Sequence, residues 1–150
     1  MLIASLLLLA QTDTSWAEFK TELFSYGKLV MQLPQPCKID TIKTQDYTVY
    51  TIKSQAFKPF LSIMMAWKLP HGFKGRTDLV VASRQRQPVA GTNGMASRGT
   101  YKTKPGQWFE FISHNLFGRD VYLRIWYENA SDQDVAVIDS VISTIKAVSK

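Results

Sequence analysis

The residues of this chain that could carry out chemistry are few and far apart. The sequence has one cysteine, Cys37, and two histidines, His71 and His114. A cysteine nucleophile needs a base within hydrogen-bond reach, and nothing around QPCKID indicates an activated thiol. The G-x-S-x-G turn of a serine nucleophile is absent from the sequence. These residues favour a non-enzymatic protein, and a small Cys- or Ser-dependent hydrolase stays open as an alternative.

The same residues do not form the pattern of a metal site. Zinc sites use Cys and His at short spacings, whereas His71 and His114 are distant from each other and have no neighbouring cysteine. Asp120 is close to His114 in sequence, but two ligands make a weak site. The glycine patterns of phosphate-binding loops are also missing. We therefore expect no metal and no cofactor.

The net charge of +6 points to an anionic partner or to a solvated basic surface. Such a charge is compatible with nucleic acid, anionic lipid or acidic proteins. The densest clusters are 74–76 and 84–86, and neither is a long run. We therefore interpret the basic residues mainly as a solvated surface.

The first segment has the features of a secretory signal. Leu2–Ala10 is an apolar block of nine residues, interrupted only by Ser5, and is too short to span a bilayer as a helix. Ser15 and Ala17 place small residues before a cleavage point, although no Lys or Arg precedes the apolar block. We predict a signal peptide over 1–17, cleaved after Ala17, and one domain over 18–150. The protein is then periplasmic or secreted, without stable membrane insertion, and export argues against a nucleic-acid partner.

Short strands are predicted in the middle of the chain. GKLVMQLP alternates apolar and polar residues, and DYTVYTIKS is rich in β-branched and aromatic residues. PFLSIMMAWKLP is apolar on both faces, which is typical of a covered strand. QWFEFISH and RDVYLRIWYE predict two more strands, joined as a hairpin by 115–119. The glycine-rich GTNGMASRGTYKTKPG predicts an irregular strand or a mobile loop.

Two segments predict helices. Thr77 or Asp78 can cap a helix over LVVASRQRQ, which Pro88 ends. Near the C-terminus, Ser131 and Asp134 have the spacing of a capping box. Apolar residues then recur at helical spacing, at Ile138, Val141, Ile142, Ile145 and Val148. DSVISTIK, residues 139–146, is expected to be the core-facing end of this helix, docked on the face formed by Val121, Leu123 and Ile125.

This order of elements resembles the PsbP/Mog1-like family, which includes bacterial domains of the DcrB type. The resemblance is carried by GKLVMQLPQP, a strand that runs into proline, and by YLRIWYENASDQDVAVIDSVISTIK, a closing strand, polar turn and helix. It covers residues 24–147. It implies an α+β fold, an antiparallel sheet flanked by helices. Members of the family are mostly binding or accessory proteins, and they share no catalytic motif that could be transferred to this chain.

Two segments are candidate binding surfaces. If Val121, Leu123 and Ile125 face the helix, the alternate residues point away from it, together with Trp108 on the neighbouring strand; these are Tyr122, Arg124 and Trp126. Aromatic residues mixed with Arg are typical of binding hot spots. A helix over 79–86 could instead cover this face and make the rings part of the core. The second candidate is the glycine-rich segment, with its basic residues Arg98, Lys102 and Lys104.

The sequence as a whole favours an exported, non-enzymatic binding or accessory protein that acts through a protein partner in the cell envelope. The alternative is a carrier of a small hydrophobic or lipidic ligand. In a carrier, aromatic and methionine side chains would line one pocket, namely Met64, Met65, Trp67, Trp108 and Trp126. Cys37 close to a histidine would instead favour the hydrolase.

Overall fold

The computed structural model describes residues 15–150, and most of these residues lie in strands. In chain order the elements are β1 (Trp16–Lys20), β2 (Gly27–Pro34), β3 (Cys37–Lys43), β4 (Tyr47–Ser54), β5 (Phe57–Ala66), β6 (Leu79–Val89), β7 (Thr92–Tyr101), β8 (Gln107–Ser113), a short 3-10 helix (Leu116–Gly118), β9 (Tyr122–Ala130), α1 (Asp132–Ser143) and β10 (Lys146–Ser149). They form a three-stranded sheet, β1-β2-β10, and a seven-stranded sheet, β3-β4-β5-β9-β8-β7-β6. Every strand pair is antiparallel.

The core lies between the two sheets. One face of the seven-stranded sheet contributes buried side chains such as Ile63, Phe111 and Ile125, and β2 contributes Leu29 and Met31. Helix α1 contacts β2, β5 and β9, so it packs against both sheets. The alternation in GKLVMQLP is what places the apolar side chains of β2 on this core.

The expected α+β sandwich, a sheet flanked by helices, is wrong. Within residues 15–150, α1 is the only α-helix. The segment expected to form a second helix is the edge strand β6, paired with β7 along its length. Val80 and Val81 are β-branched, and Ala90 and Gly91 have positive φ values of 53° and 74°, as a tight two-residue hairpin requires. The fold that the PsbP/Mog1-like resemblance implies is therefore not the fold of this chain.

Residues 92–101 of the glycine-rich segment form the paired strand β7 rather than a loop, and 102–106 form the connection to β8. Gly94 and Gly99 lie within β7, between β6 and β8. A Cβ on Gly94 would meet the Ile112 carbonyl oxygen at 2.5 Å, so the neighbouring backbone approaches too closely for any side chain. These two glycines are needed for close packing and not for flexibility.

The predicted start of the C-terminal helix is confirmed, and its predicted end is wrong. The Ser131 side chain accepts a hydrogen bond from the Asp134 N–H, and the Asp134 carboxylate accepts one from the Ser131 N–H. The helix ends at Ser143, and Val148, expected on its buried face, is 44% exposed. Residues 146–149 instead pair with β2, whose edge offers them backbone hydrogen bonds.

Asp134 also ties the helix to the sheet, and we expect Asp134→Ala to lower the free energy of unfolding by about 1–3 kcal/mol. Its carboxylate accepts a hydrogen bond from the N–H of Lys58, the second residue of β5. Partial burial alone would raise the pKa of Asp134, but hydrogen bonds from the Ser131 and Lys58 N–H groups lower it below the ordinary value of an aspartate. The stabilisation is therefore fully present above the unfolded-state pKa and is lost as the pH falls through the folded-state pKa. Urea unfolding of both proteins at pH 7 and pH 3 measures this; an equal difference at both pH values would contradict it.

Only the last three residues of the segment expected to be cleaved, 15–17, are among the described residues. The expected cleavage point after Ala17 falls inside β1, where Trp16 pairs with Pro34 and Ala17 with Leu33. Residues 1–14 of the predicted signal peptide lie outside the described residues. Over residues 15–150 no helix has both the length and the apolar character needed to cross a bilayer.

Candidate binding site

The face of the seven-stranded sheet opposite the core is called here the outer face. It has the alternation expected from the sequence: Glu110 lies opposite Trp126, and Ile112 lies opposite Arg124. The residues between them, such as Ile125, are in the core. Because α1 packs on the core side, no helix of the described chain covers the outer face. The interpretation in which a helix over 79–86 buries these rings is therefore wrong.

A loop over residues 67–78, the 67–78 loop, crosses part of the outer face. The Phe73 N–H donates a hydrogen bond of 3.0 Å to Glu110 Oε2, and the Phe73 ring packs edge-on against Trp108 with 5.8 Å between ring centroids. Gly72 has a φ of +65°, and a Cβ there would lie 2.5 Å from Glu110 Oε2. The loop leaves Trp108 only 3% exposed. Trp108 is therefore a packed residue and not part of an open surface.

Arg124 forms the centre of the outer face. Its guanidinium lies 2.7 Å from Glu110 Oε2, and the two side chains are only 10% and 13% exposed. The Trp126 ring stacks on the same guanidinium at 3.9 Å, and the Phe73 ring lies 5.1 Å from it. Because Glu110 neutralises the charge, Arg124 holds the two rings in place and is not an unpaired cation for a ligand.

Trp126 borders an open groove of about 480 Å³, called here the Trp126 groove. Phe60, which is 57% exposed, forms part of the same groove. The Nζ atom of Lys53 lies 4.9 Å from the centre of the Phe60 ring. Lys53 is also paired with Asp40 at 3.5 Å, so the Trp126 groove presents mainly its two large aromatic rings to any partner that approaches the outer face.

A second groove of about 410 Å³, the loop groove, lies between the 67–78 loop and the sheet. Its lining is largely apolar, with Leu69, Pro70, Phe73, Leu79, Val81, Trp108 and Ile112. Arg76, at its edge, is neutralised by Asp78 and Glu128 at 2.6 and 3.0 Å. The hydrogen bond from Arg76 lowers the pKa of Asp78 to about 2, so this carboxylate is charged at neutral pH.

The other residues expected to bind are spread over the molecule. Arg98 lies on the core side, where it donates hydrogen bonds to Asp139 at 2.9 Å and to the Tyr127 hydroxyl at 3.2 Å. Burial raises the pKa of Tyr127 to about 12, although Arg98 opposes this shift. Arg98 thus joins α1 to the sheet. Lys102 and Lys104 are exposed between β7 and β8.

Tyr122 lies at one end of the outer face. Its ring stacks on His114 with 4.2 Å between centroids, and His114 Nε2 is hydrogen-bonded to Asp120. The sequence had placed His114 and Asp120 together as possible metal ligands. Over residues 15–150, no three His, Cys, Asp or Glu side chains are grouped to hold a metal ion.

The nucleophile and the histidines proposed for a hydrolase lie in different regions. Cys37 begins the edge strand β3, and its sulfur accepts a hydrogen bond of 3.3 Å from Gln35 Nε2. His114 follows β8, which is separated from β3 by β4, β5 and β9. His71 is in the 67–78 loop. Neither histidine is hydrogen-bonded to Cys37 in the described chain.

Sequence reasoning missed Phe60, Phe73 and the role of Glu110. HGFKG, with two glycines around Phe73, is a recognisable loop signal that could have indicated this loop, but it precedes a segment whose pattern predicts a helix. The resulting outer face combines aromatic rings, open grooves and cations, which suits binding.

Comparisons of the chain with protein-family models, with curated proteins and with solved structures found no match.

Proposed function

We propose that this protein is a non-enzymatic binding protein that acts through a protein partner held on the outer face. The observation that carries the proposal is the Trp126 ring, held on Arg124 at 3.9 Å beside an open groove. A ring fixed in this way loses little conformational freedom on binding, which favours affinity. Half-buried aromatic residues beside open grooves are the usual anchors of protein interfaces.

A protein partner agrees better with this geometry than the alternative of a small-ligand carrier. The five side chains expected to line a carrier pocket are dispersed. Met65 is fully buried in the core, and Trp67 packs against Phe24, with ring centroids 5.0 Å apart. Trp108 lies under the 67–78 loop, whereas Trp126 lies in the other groove. The outer face offers adjacent open grooves, which suit an extended chain.

We also propose that the protein acts in the periplasm or outside the cell. The support comes from the sequence: the apolar block Leu2–Ala10, followed by small residues at Ser15 and Ala17. A partner in the cell envelope follows from that location. The intact mass of the chain recovered from an exported fraction tests it, since cleavage after Ala17 leaves a chain that begins at Glu18.

We expect Trp126→Ala to weaken partner binding by about 30-fold or more, the effect of removing an interface anchor. The measurement is a pull-down of the tagged protein from the envelope fraction, with the amount of the stoichiometric companion compared between proteins. Phe60→Ala should act in the same direction without affecting the core, because Phe60 is 57% exposed.

The matched control is Leu23→Ala, which removes a 52% exposed apolar side chain away from the outer face. It should leave the companion unchanged. Thermal unfolding of each variant separates lost binding from lost structure. Equal recovery of the companion by Trp126→Ala, Phe60→Ala and the wild type would contradict the proposal.

A further inference from the structure

We infer that the partner presents an acidic segment whose apolar side chain enters the loop groove, with carboxylates paired to Lys74 and Arg84. The inference rests on the proposed function and names the chemistry of the segment that the outer face takes. Two observations support this inference. Some charged side chains at the loop groove have no ionic partner within the protein, and the apolar side chains that line the groove are partly buried.

Most charged groups at the loop groove already have a partner. Glu110 is paired with Arg124 at 2.7 Å and accepts the Phe73 N–H. Arg76 is paired with two carboxylates. Glu110 and Arg124 therefore cancel each other, whereas Arg76 with its two carboxylates, one of which (Glu128) borders the Trp126 groove, has one excess negative charge.

Unlike these groups, Lys74 and Arg84 have no acidic partner in the described part of the chain. Both line the loop groove, both residues are exposed, and within residues 15–150 neither is joined to an acidic side chain by a salt bridge. The one hydrogen bond of the Arg84 guanidinium goes to the neutral Ser97 hydroxyl, at 3.2 Å. Arg86, two residues further along β6, lies on the same face and is also exposed. The loop groove therefore has an edge of unpaired positive charge, which favours carboxylates.

The floor of the loop groove favours a polypeptide side chain over a lipid surface. Phe73, Leu79 and Ile112 line it and are half-buried, whereas Trp108 is covered by the loop. A flat bilayer surface touches projecting side chains first, whereas a single apolar side chain can enter between the loop and the sheet and contact the half-buried ones. The volume of about 410 Å³ is within the range of about 300–1,000 Å³ of pockets that hold compact ligands.

The test is calorimetric titration of the full chain with three synthetic hexapeptides of the same length. The first is acidic and apolar (Glu-Asp-Leu-Phe-Asp-Glu), the second is basic and apolar (Lys-Lys-Leu-Phe-Lys-Lys), and the third is acidic without an apolar side chain (Glu-Asp-Gly-Ser-Asp-Glu). We expect the first to bind at least tenfold more tightly than the other two. Its affinity should fall with rising salt, because the carboxylate contacts are exposed.

The matched variants reverse equal charge at two places. Lys74→Glu with Arg84→Glu should weaken binding of the acidic apolar peptide at least tenfold. Lys146→Glu, in β10, with Lys150→Glu, directly after β10, should leave it unchanged. An equal loss in both pairs would mean non-specific attraction and would overturn the inference, as would equal binding of the three peptides.

The last part of the test measures binding of the protein to vesicles that contain one third phosphatidylserine. Binding to these vesicles without binding to the acidic apolar peptide would overturn the inference in favour of a lipid surface. If no peptide binds but the companion protein is still lost with Trp126→Ala, the inference fails while the proposed function stands. If the companion is also unaffected by Trp126→Ala, the proposed function fails as well.

Discussion

Gly99→Ala is expected to lower the free energy of unfolding by at least about 4 kcal/mol, and so to leave little folded protein. A Cβ at this position would fall well inside 3.0 Å of the Val80 carbonyl oxygen and 2.9 Å from Trp108 Cζ2. The carbonyl belongs to the backbone of β6 and cannot rotate away. Relieving the clash therefore means moving β6 away from β7, or Trp108 away from the loop groove.

Urea unfolding followed by circular dichroism measures this effect, and Gly75→Ala is its matched control. Gly75 lies in the 67–78 loop with a φ of +86°, and an added Cβ meets nothing within 4 Å. Its replacement costs only the strain of a positive φ, roughly 1–2 kcal/mol. If the Gly99→Ala protein is no less stable than the Gly75→Ala protein, the backbones of β6 and β7 are not too close at Gly99 to admit a side chain, and the prediction is contradicted.

Glu110→Ala is expected to cost about 3–5 kcal/mol, because it leaves the Arg124 guanidinium largely buried without its counter-charge. The two side chains are 10% and 13% exposed, so water can compensate only in part. The same substitution removes the acceptor of the Phe73 N–H, which holds the 67–78 loop against the sheet. The loop should then loosen, with faster amide exchange at Phe73 and a change in Trp108 fluorescence.

Two further variants make the prediction specific. Glu128→Ala removes a carboxylate from the more exposed Arg76 ion pair and should cost less than about 1 kcal/mol. Glu110→Gln combined with Arg124→Met removes both buried charges and should be more stable than Glu110→Ala. A double variant as unstable as Glu110→Ala would show that the loss does not come from the unpaired guanidinium.

The parts of the fold that could be predicted from the sequence depend on local signals. The helix start at Ser131 was predictable because its two capping hydrogen bonds join residues three apart. The facing of Trp126 and Arg124 followed from alternation along one strand. The helix end was not predictable, because Lys146 leaves the helical path to pair with Val30, more than a hundred residues earlier.

The strand β6 was missed for a related reason. Thr77 and Asp78 are good helix caps, and the apolar residues after them fit a helical face. What decides the structure is pairing with β7, in which Gly99 allows the backbones to approach closely. That requirement arises only from tertiary packing, whereas the local sequence, with its several glycines, predicts an irregular or mobile segment.

The candidate site was predictable only in part. Trp108 and Trp126 were correctly placed on the same sheet face, but the sequence does not show that they differ in exposure. The 67–78 loop makes the difference by covering Trp108 and leaving Trp126 beside an open groove. Arg98 was expected at a surface because it lies in a glycine-rich segment, yet its hydrogen bond to Asp139 joins the helix to the core side.

Site-specific photo-crosslinking tests the central claim, partner binding on the outer face, most directly. A photoreactive phenylalanine replaces Phe60 or Met95, the latter opposite Ile112 on the outer face; these two residues are 57% and 36% exposed. In controls it replaces Leu23 or Val148, which are 52% and 44% exposed. We expect one defined protein adduct from the first two positions and none from the controls. Adducts from Leu23 or Val148 alone, or equally from all four positions, would contradict the assignment of partner binding to the outer face.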